Sequence, residues 1–143
     1  MTVATLSEVL KNAQQNKYAV AGLVVLGWED ARCYAEAAEE LSLPVILQAG
    51  PGCRANTPVQ ILGKMFRHLA EQSRYPIVCH LDHGYTKEEC IKGVESGFTS
   101  VMYDGSKLSL SENIENTYEI SDYAHKHNVS VEGEIGFVGY KDG

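Results

Sequence analysis

Pro76-Ile77-Val78-Cys79-His80-Leu81-Asp82-His83-Gly84 reads as a buried strand that ends in a carboxylate and an imidazole. Its apolar run has strand length and is rich in β-branched residues, as in a strand covered on both faces. Side chains alternate along a strand, so His80 and Asp82 share one face. Adjacent Asp82 and His83 reach a single pocket only where the strand end bends, and Gly84 fits as the turn residue that follows. A proton carrier beside a metal-ligating imidazole is a pairing suited to acid–base or metal chemistry.

The same organisation extends outward in both directions. Upstream, apolar runs at 18–27 and 44–48 predict two strands; downstream, 99–103 and 129–135 predict two more. Helical spacing fills the gaps. Thr5 with Glu8 has capping-box spacing before Leu6, Val9, Leu10 and Ala13. Trp28 to Leu41 carries Ala31, Tyr34, Ala35 and Ala38 on one face. Thr57-Pro58 predicts a helix start, with Thr57 as the cap and Pro58 at the first helical position, running to about Ser73. Thr86 and Glu89 repeat the capping-box spacing ahead of a helix ending near Gly97. Ser111 is the expected cap of a helix with Ile114, Thr117, Tyr118, Ser121 and Ala124 along its stripe.

Such alternation predicts an α/β fold with five parallel strands in sequential order and helices outside. Periodicity alone does not separate a barrel from an open doubly wound sheet. Polar residues favour the barrel: Gln48, Asp82-His83, Asp104 and Glu134 stand at or near the C-terminal ends of successive strands, where barrel active sites gather. No Gly-x-Gly-x-x-Gly and no Gly-x-x-x-x-Gly-Lys is present to mark a nucleotide fold.

Further candidates lie on the same rim. Asp104-Gly105-Ser106 offers a carboxylate, a close backbone approach and a hydroxyl. Glu132 and Glu134 face one side of their strand, and two carboxylates there repel unless a cation or a paired base intervenes. Gly136-Phe137-Val138-Gly139 is a glycine-rich loop able to wrap an anion with backbone amides. His80 is expected to support Asp82, while His68, His125 and His127 read as ordinary helix residues. Cys33, Cys53, Cys79 and Cys90 form no Cys-x-x-Cys pair and are expected as buried, reduced thiols.

The 143 residues carry net charge −7 and no basic run, which excludes a nucleic-acid footprint but leaves phosphorylated small molecules open. No apolar run reaches the ~20 residues of a membrane span, and the N-terminus lacks a signal-peptide pattern. A cytoplasmic, membrane-free protein is expected.

These motifs together resemble the class II fructose- and tagatose-bisphosphate aldolases. The strongest likeness is Cys79-His80-Leu81-Asp82-His83-Gly84; Pro44 to Gln48 with Pro51-Gly52, Ser100 to Ser106, and Val131 to Gly136 agree in order and spacing. The resemblance implies a (β/α)8 barrel of the TIM type, with about five of eight strands in residues 1–143, a single partial domain truncated after the fifth strand. It implies Asp82 as the proton-transfer residue and His83 as ligand of a divalent metal, usually Zn2+. Asp104 and Glu134 match acidic positions that hold the metal in alternate places. Gln48, Ser106 and Gly136 are the expected substrate contacts, and a phosphorylated sugar is the expected partner of a homo-oligomeric enzyme of carbohydrate metabolism, as in glycolysis. Two further metal histidines are implied on later strands, beyond residue 143. A Schiff-base route through Lys107 is disfavoured. Departures from the family pattern are Leu23-Val24, where a Phe-Asn pair is usual, and Tyr140-Lys141-Asp142 after Gly139. They leave a repurposed, non-catalytic binding protein as the alternative.

Overall fold

The computed structural model describes residues 2–136. Chain order is β1 (Val3–Ala4), α1 (Leu6–Asn16), β2 (Ala21–Val24), α2 (Trp28–Leu41), β3 (Val45–Ala49), α3 (Pro51–Asn56), α4 (Val59–Gln72), β4 (Ile77–Gly84), α5 (Lys87–Glu95), β5 (Ser100–Tyr103), α6 (Leu110–Lys126) and β6 (Ser130–Gly133). The sheet runs β2-β3-β4-β5-β6 with every pairing parallel. The order never reverses, as it would in a doubly wound sheet. The short β1 is an addition that the sequence reading missed; it pairs with the start of β4, through Val3 with Ile77 and Ala4 with Val78.

The two sheet faces differ, as they must in a barrel wall. Val45, Leu47, Ala49, Ile77, Cys79, Leu81, Val101 and Tyr103 point outward into one core with Ala35, Leu62, Phe66, Cys90 and Ile120 of the surrounding helices. Alternate residues point inward. At the N-terminal end of that inner face, Ile46 and Val78 pack with Ala4 and Val9. Thus α1 plugs the bottom of the wall, and its start is fixed by a complete Thr5–Glu8 capping box.

Local rules were overridden at several helix ends. Val59 opens α4, so Pro58 sits at the cap position and Thr57 makes no capping bond there. The cap of α6 is Ser109, which forms a capping box with Glu112, rather than Ser111. The buried stripe of α6 is also rotated: Asn113, Ile120 and Ala124 face inward, while Ile114 and Tyr118 are exposed. Cys53, Cys79 and Cys90 are buried, but Cys33 is exposed on α2. Burial pushes the Cys79 and Cys90 thiols up to about 12, which keeps them as inert thiols. Among the described residues no helix is long and apolar enough to cross a membrane.

Candidate active site

The site forms at the C-terminal ends of the strands because inward positions turn polar there. Along β4 the inward series is Val78, His80, Asp82. Lateral register sets Gln48 beside His80, and Met102 beside Glu132. Asp82, His83, Asp104, Ser106, Glu132 and Glu134 line one open pocket of about 640 Å3. Lys107 stands at its edge, exposed, with Nζ 5.7 Å from the centre of the Tyr85 ring. It lacks the desolvated surroundings that activate a Schiff-base lysine.

His83 reaches this pocket through a break in strand regularity. The β4–β5 register shifts between Leu81 and Gly84, and His83 adopts φ 102°. Positive φ is uncommon for a residue with a Cβ and marks a constrained position. The break carries the imidazole to the same side as Asp82. Gly84 contributes by closeness: a Cβ there would lie 2.6 Å from Cys90 Sγ and 3.1 Å from the Met102 carbonyl. Gly105 serves likewise, since a Cβ would lie 2.3 Å from Asn113 Oδ1.

The donor set is compact. His83 Nδ1 lies 3.0 Å from Asp104 Oδ2 and 3.8 Å from Glu134 Oε2, while Nε2 lies 3.8 Å from Asp82 Oδ1. Ligand atoms of His83, Asp104 and Glu134 all fall within 4.8 Å of one another. Partial burial pushes the Asp104 carboxyl up; hydrogen bonds from the Ser106 hydroxyl at 2.6 Å and amide at 3.1 Å, with His83, outweigh this and hold it below its usual range. Glu132 is raised, first by desolvation and then by Asp82 and Glu134, with His83 opposing. Four carboxylates thus converge on a pocket whose lining holds one lysine and one histidine. One imidazole with two carboxylates at these spacings suits a divalent cation.

Beneath the pocket, His80 is 1% exposed and its Nδ1 shares a 2.9 Å hydrogen bond with Ser100 Oγ. Desolvation, then His83 and Arg54, lowers its pKa to about 4, so the ring is neutral near pH 7. A neutral ring accepting from Ser100 carries its proton on Nε2. That atom has no hydrogen-bond partner and lies 3.4 Å from Glu132 Oε2 and 3.8 Å from Asp82 Oδ1.

Two expected substrate residues stand apart. The Gln48 side chain lies against Gly22, its Oε1 within 2.8 Å of where a Cβ would be, and does not line the pocket. Gly136 has φ 84° and is likewise outside the lining. Phe137, Val138, Gly139 and the Tyr140-Lys141-Asp142 stretch lie outside the described residues.

Sequence reasoning missed three supports. Asn113 Nδ2 donates to the Glu134 carbonyl at 2.8 Å and fixes the end of β6. A polar residue in step with Thr117, Ile120 and Ala124 was the available signal. Arg54 donates to the Asp82 and His83 carbonyls and is itself held by Glu89. Arg54 lies in α3, which was not predicted, and Glu89 read as half of a capping box.

The family described as "Fructose-bisphosphate aldolase class-II" matches residues 4–143. A 6-phospho-5-dehydro-2-deoxy-D-gluconate aldolase of Shouchella clausii is 38% identical, over 97% of this chain and 48% of that protein. A fructose-bisphosphate aldolase of Staphylococcus aureus is 36% identical, over 97% and 50%. The chain therefore spans about half the length of these relatives. Among solved structures, the YdjI aldolase from Escherichia coli K12 superposes with a TM-score of 0.87 at 31% identity, over 96% of this chain and 54% of that one. The Campylobacter jejuni fructose-bisphosphate aldolase gives 0.82 at 23% identity, over 98% and 48%, a likeness of fold.

Proposed function

Because the chain belongs to the class II fructose-bisphosphate aldolase family, we propose that its inner rim supplies the proton-transfer carboxylate and the first metal-side imidazole of a metal-dependent aldolase acting on a phosphorylated ketose. The observation that carries this reading is the cluster of His83, Asp104 and Glu134 with Asp82 at its side. When bound there, a divalent cation such as Zn2+ would supply Lewis-acid stabilisation of the enediolate charge left by carbon–carbon cleavage. Asp82 takes the proton from the hydroxyl that becomes the aldehyde carbonyl and returns it in condensation. His83 holds the cation side of the pocket, and Asp104, oriented by Ser106, fixes His83 through its 3.0 Å contact. Ser106 lines the pocket, which supports reading it as a substrate contact. Gln48 and Gly136 would need to turn toward the substrate. Sugar-phosphate metabolism in the cytoplasm fits this chemistry.

The test is retro-aldol release of dihydroxyacetone phosphate by the polypeptide that carries this chain. Fructose 1,6-bisphosphate, tagatose 1,6-bisphosphate and 6-phospho-5-dehydro-2-deoxygluconate should be compared, with and without zinc. Activity that a chelator abolishes and Asp82→Ala removes supports the reading; a chelator-resistant rate refutes it. The second reading, a binding protein derived from an aldolase, is motivated by Val24. That residue is 52% exposed beside Gln48, at a position where an apolar side chain offers substrate no hydrogen bond. It requires ligand binding with no turnover on any of the three sugars.

A further inference from the structure

Arg54 lies outside the pocket lining, yet its side chain is 4% exposed. A guanidinium is rarely sunk this deeply without an assignment. Here the assignment is backbone. Nη1 donates to the Ala49 carbonyl at 2.5 Å and to the Asp82 carbonyl; Nη2 donates to the His83 carbonyl at 2.6 Å. Nε donates to Glu89 Oε1 at 2.9 Å. The other oxygen of Glu89 accepts from the Tyr85 amide at 3.1 Å. One side chain therefore ties the end of β3 to the end of β4 and, through Glu89, to the first turn of α5.

The two carbonyls on β4 are the informative part. In a regular strand, consecutive carbonyls point to opposite edges, so one group cannot donate to both. Asp82 and His83 break that rule, because His83 at φ 102° turns its peptide out of alternation. The planar fork of Arg54 thus bonds to the bulged backbone and has no equivalent partner pair in an extended one. The same bulge sets the His83 imidazole beside Asp82. Glu89 shows the cost in local structure: Thr86 accepts from the Glu89 amide at 3.1 Å, but the Glu89 carboxylate goes to Arg54 and Tyr85 instead of closing the capping box.

We infer that Arg54, held by Glu89, is a positioning residue that keeps Asp82 and His83 on one side of the pocket by bonding the bulged form of residues 82–83. Its catalytic consequence rests on the aldolase reading; its structural claim does not. Lysine cannot replace it, since an ammonium on a flexible stem lacks the planar fork that meets separated carbonyls and a carboxylate together.

The experiment uses the polypeptide that carries this chain, with Arg54→Ala, Arg54→Lys and Glu89→Ala. Circular dichroism first establishes which variants fold. Retro-aldol kinetics, rescue by sub-denaturing guanidinium ion, and the amide–Hα coupling of isotopically labelled His83 are then measured. Folded Arg54→Ala should lose roughly 100-fold in kcat, the scale of a misplaced reacting group, with KM changed far less. Added guanidinium should restore part of the rate, and the His83 coupling should move from the small value of positive φ toward the large value of extended backbone. Wild-type kcat and coupling in folded Arg54→Ala overturn the inference, as does a lost rate with unchanged coupling and no rescue. Should Arg54→Ala fail to fold, Arg54→Lys and Glu89→Ala carry the same readouts: a lowered kcat with altered coupling supports the inference, and wild-type values in both overturn it. If the wild type cleaves none of the sugars, the aldolase reading fails, and the coupling alone decides whether Arg54 sets the His83 backbone.

Discussion

The two ends of the inner wall share strands and alternation but not chemistry. At the N-terminal end, Ile46 and Val78 meet Ala4 and Val9 and exclude water. At the C-terminal end, the same inward series continues as His80, Asp82, Met102, Glu132 and Glu134, and above the buried His80 it opens into the pocket. The lesson is that a barrel wall separates stability from function along the strand axis rather than between strands. A substitution at the closed end should change melting without changing chemistry, and one at the open end should do the reverse.

The largest expected effect tests that separation directly. Asp82→Ala should lower kcat by roughly 10²–10⁴-fold, the range for a positioned acid–base group, and leave the melting temperature nearly unchanged. A large fall in melting temperature would show that the open end also carries the fold.

His80 lies at the boundary and should show both behaviours. Its pKa is lowered from 6.5 to about 4 in the folded chain. Between those values the unfolded chain binds a proton that the folded chain does not. Stability is therefore full above pH 6.5 and falls as pH drops toward 4, by about 3 kcal/mol at ~1.4 kcal/mol per unit. Asp104, whose carboxyl is lowered, also loses stability on acidification, so the measurement is the difference from His80→Gln in urea titrations across that window. Parallel pH curves for wild type and variant would remove His80 from the account.

Val78→Ala sharpens the other side. It should cost about 2 kcal/mol through lost burial and a residual cavity, read by denaturant unfolding, with kcat and KM retained. The smallest effect is expected at the β6 end of the wall, where the described residues leave apolar side chains exposed. Ile114 and Tyr118 on α6 are 62% and 73% exposed, and Ile135 beyond β6 is 88% exposed. Unpartnered strand edges and apolar patches favour association with another chain. Ile114→Gln should shift stability by less than about 0.5 kcal/mol. Light scattering on the same samples should show less self-association; an unchanged mass would exclude this face from the contact.

Much of the open end was legible in the sequence. Strand identity followed from apolar runs and β-branched residues, and strand order from regular alternation with helices. Asp82, His83, Asp104, Ser106 and Glu134 stood where those runs stop, so position along the chain already implied a shared rim. Capping at Thr5 was legible because both partners lie within one turn.

Tertiary structure decided what depends on contacts between distant segments. The sequence could not show which face of α6 packs inward: Ile114 and Tyr118 carry more apolar area than Asn113, yet Asn113 is buried because the Glu134 carbonyl needs its amide. Nor could it show that Glu89 leaves its own helix cap for Arg54, 35 residues away. Local spacing offers Glu89 a neutral amide, whereas the fold offers it a buried cation, and a charge-assisted bond away from water is the stronger of the two. The positive φ of His83 follows from the same cause. Sequence placed the carboxylate and the imidazole side by side, and the guanidinium bonded across two strands turned them to the same side.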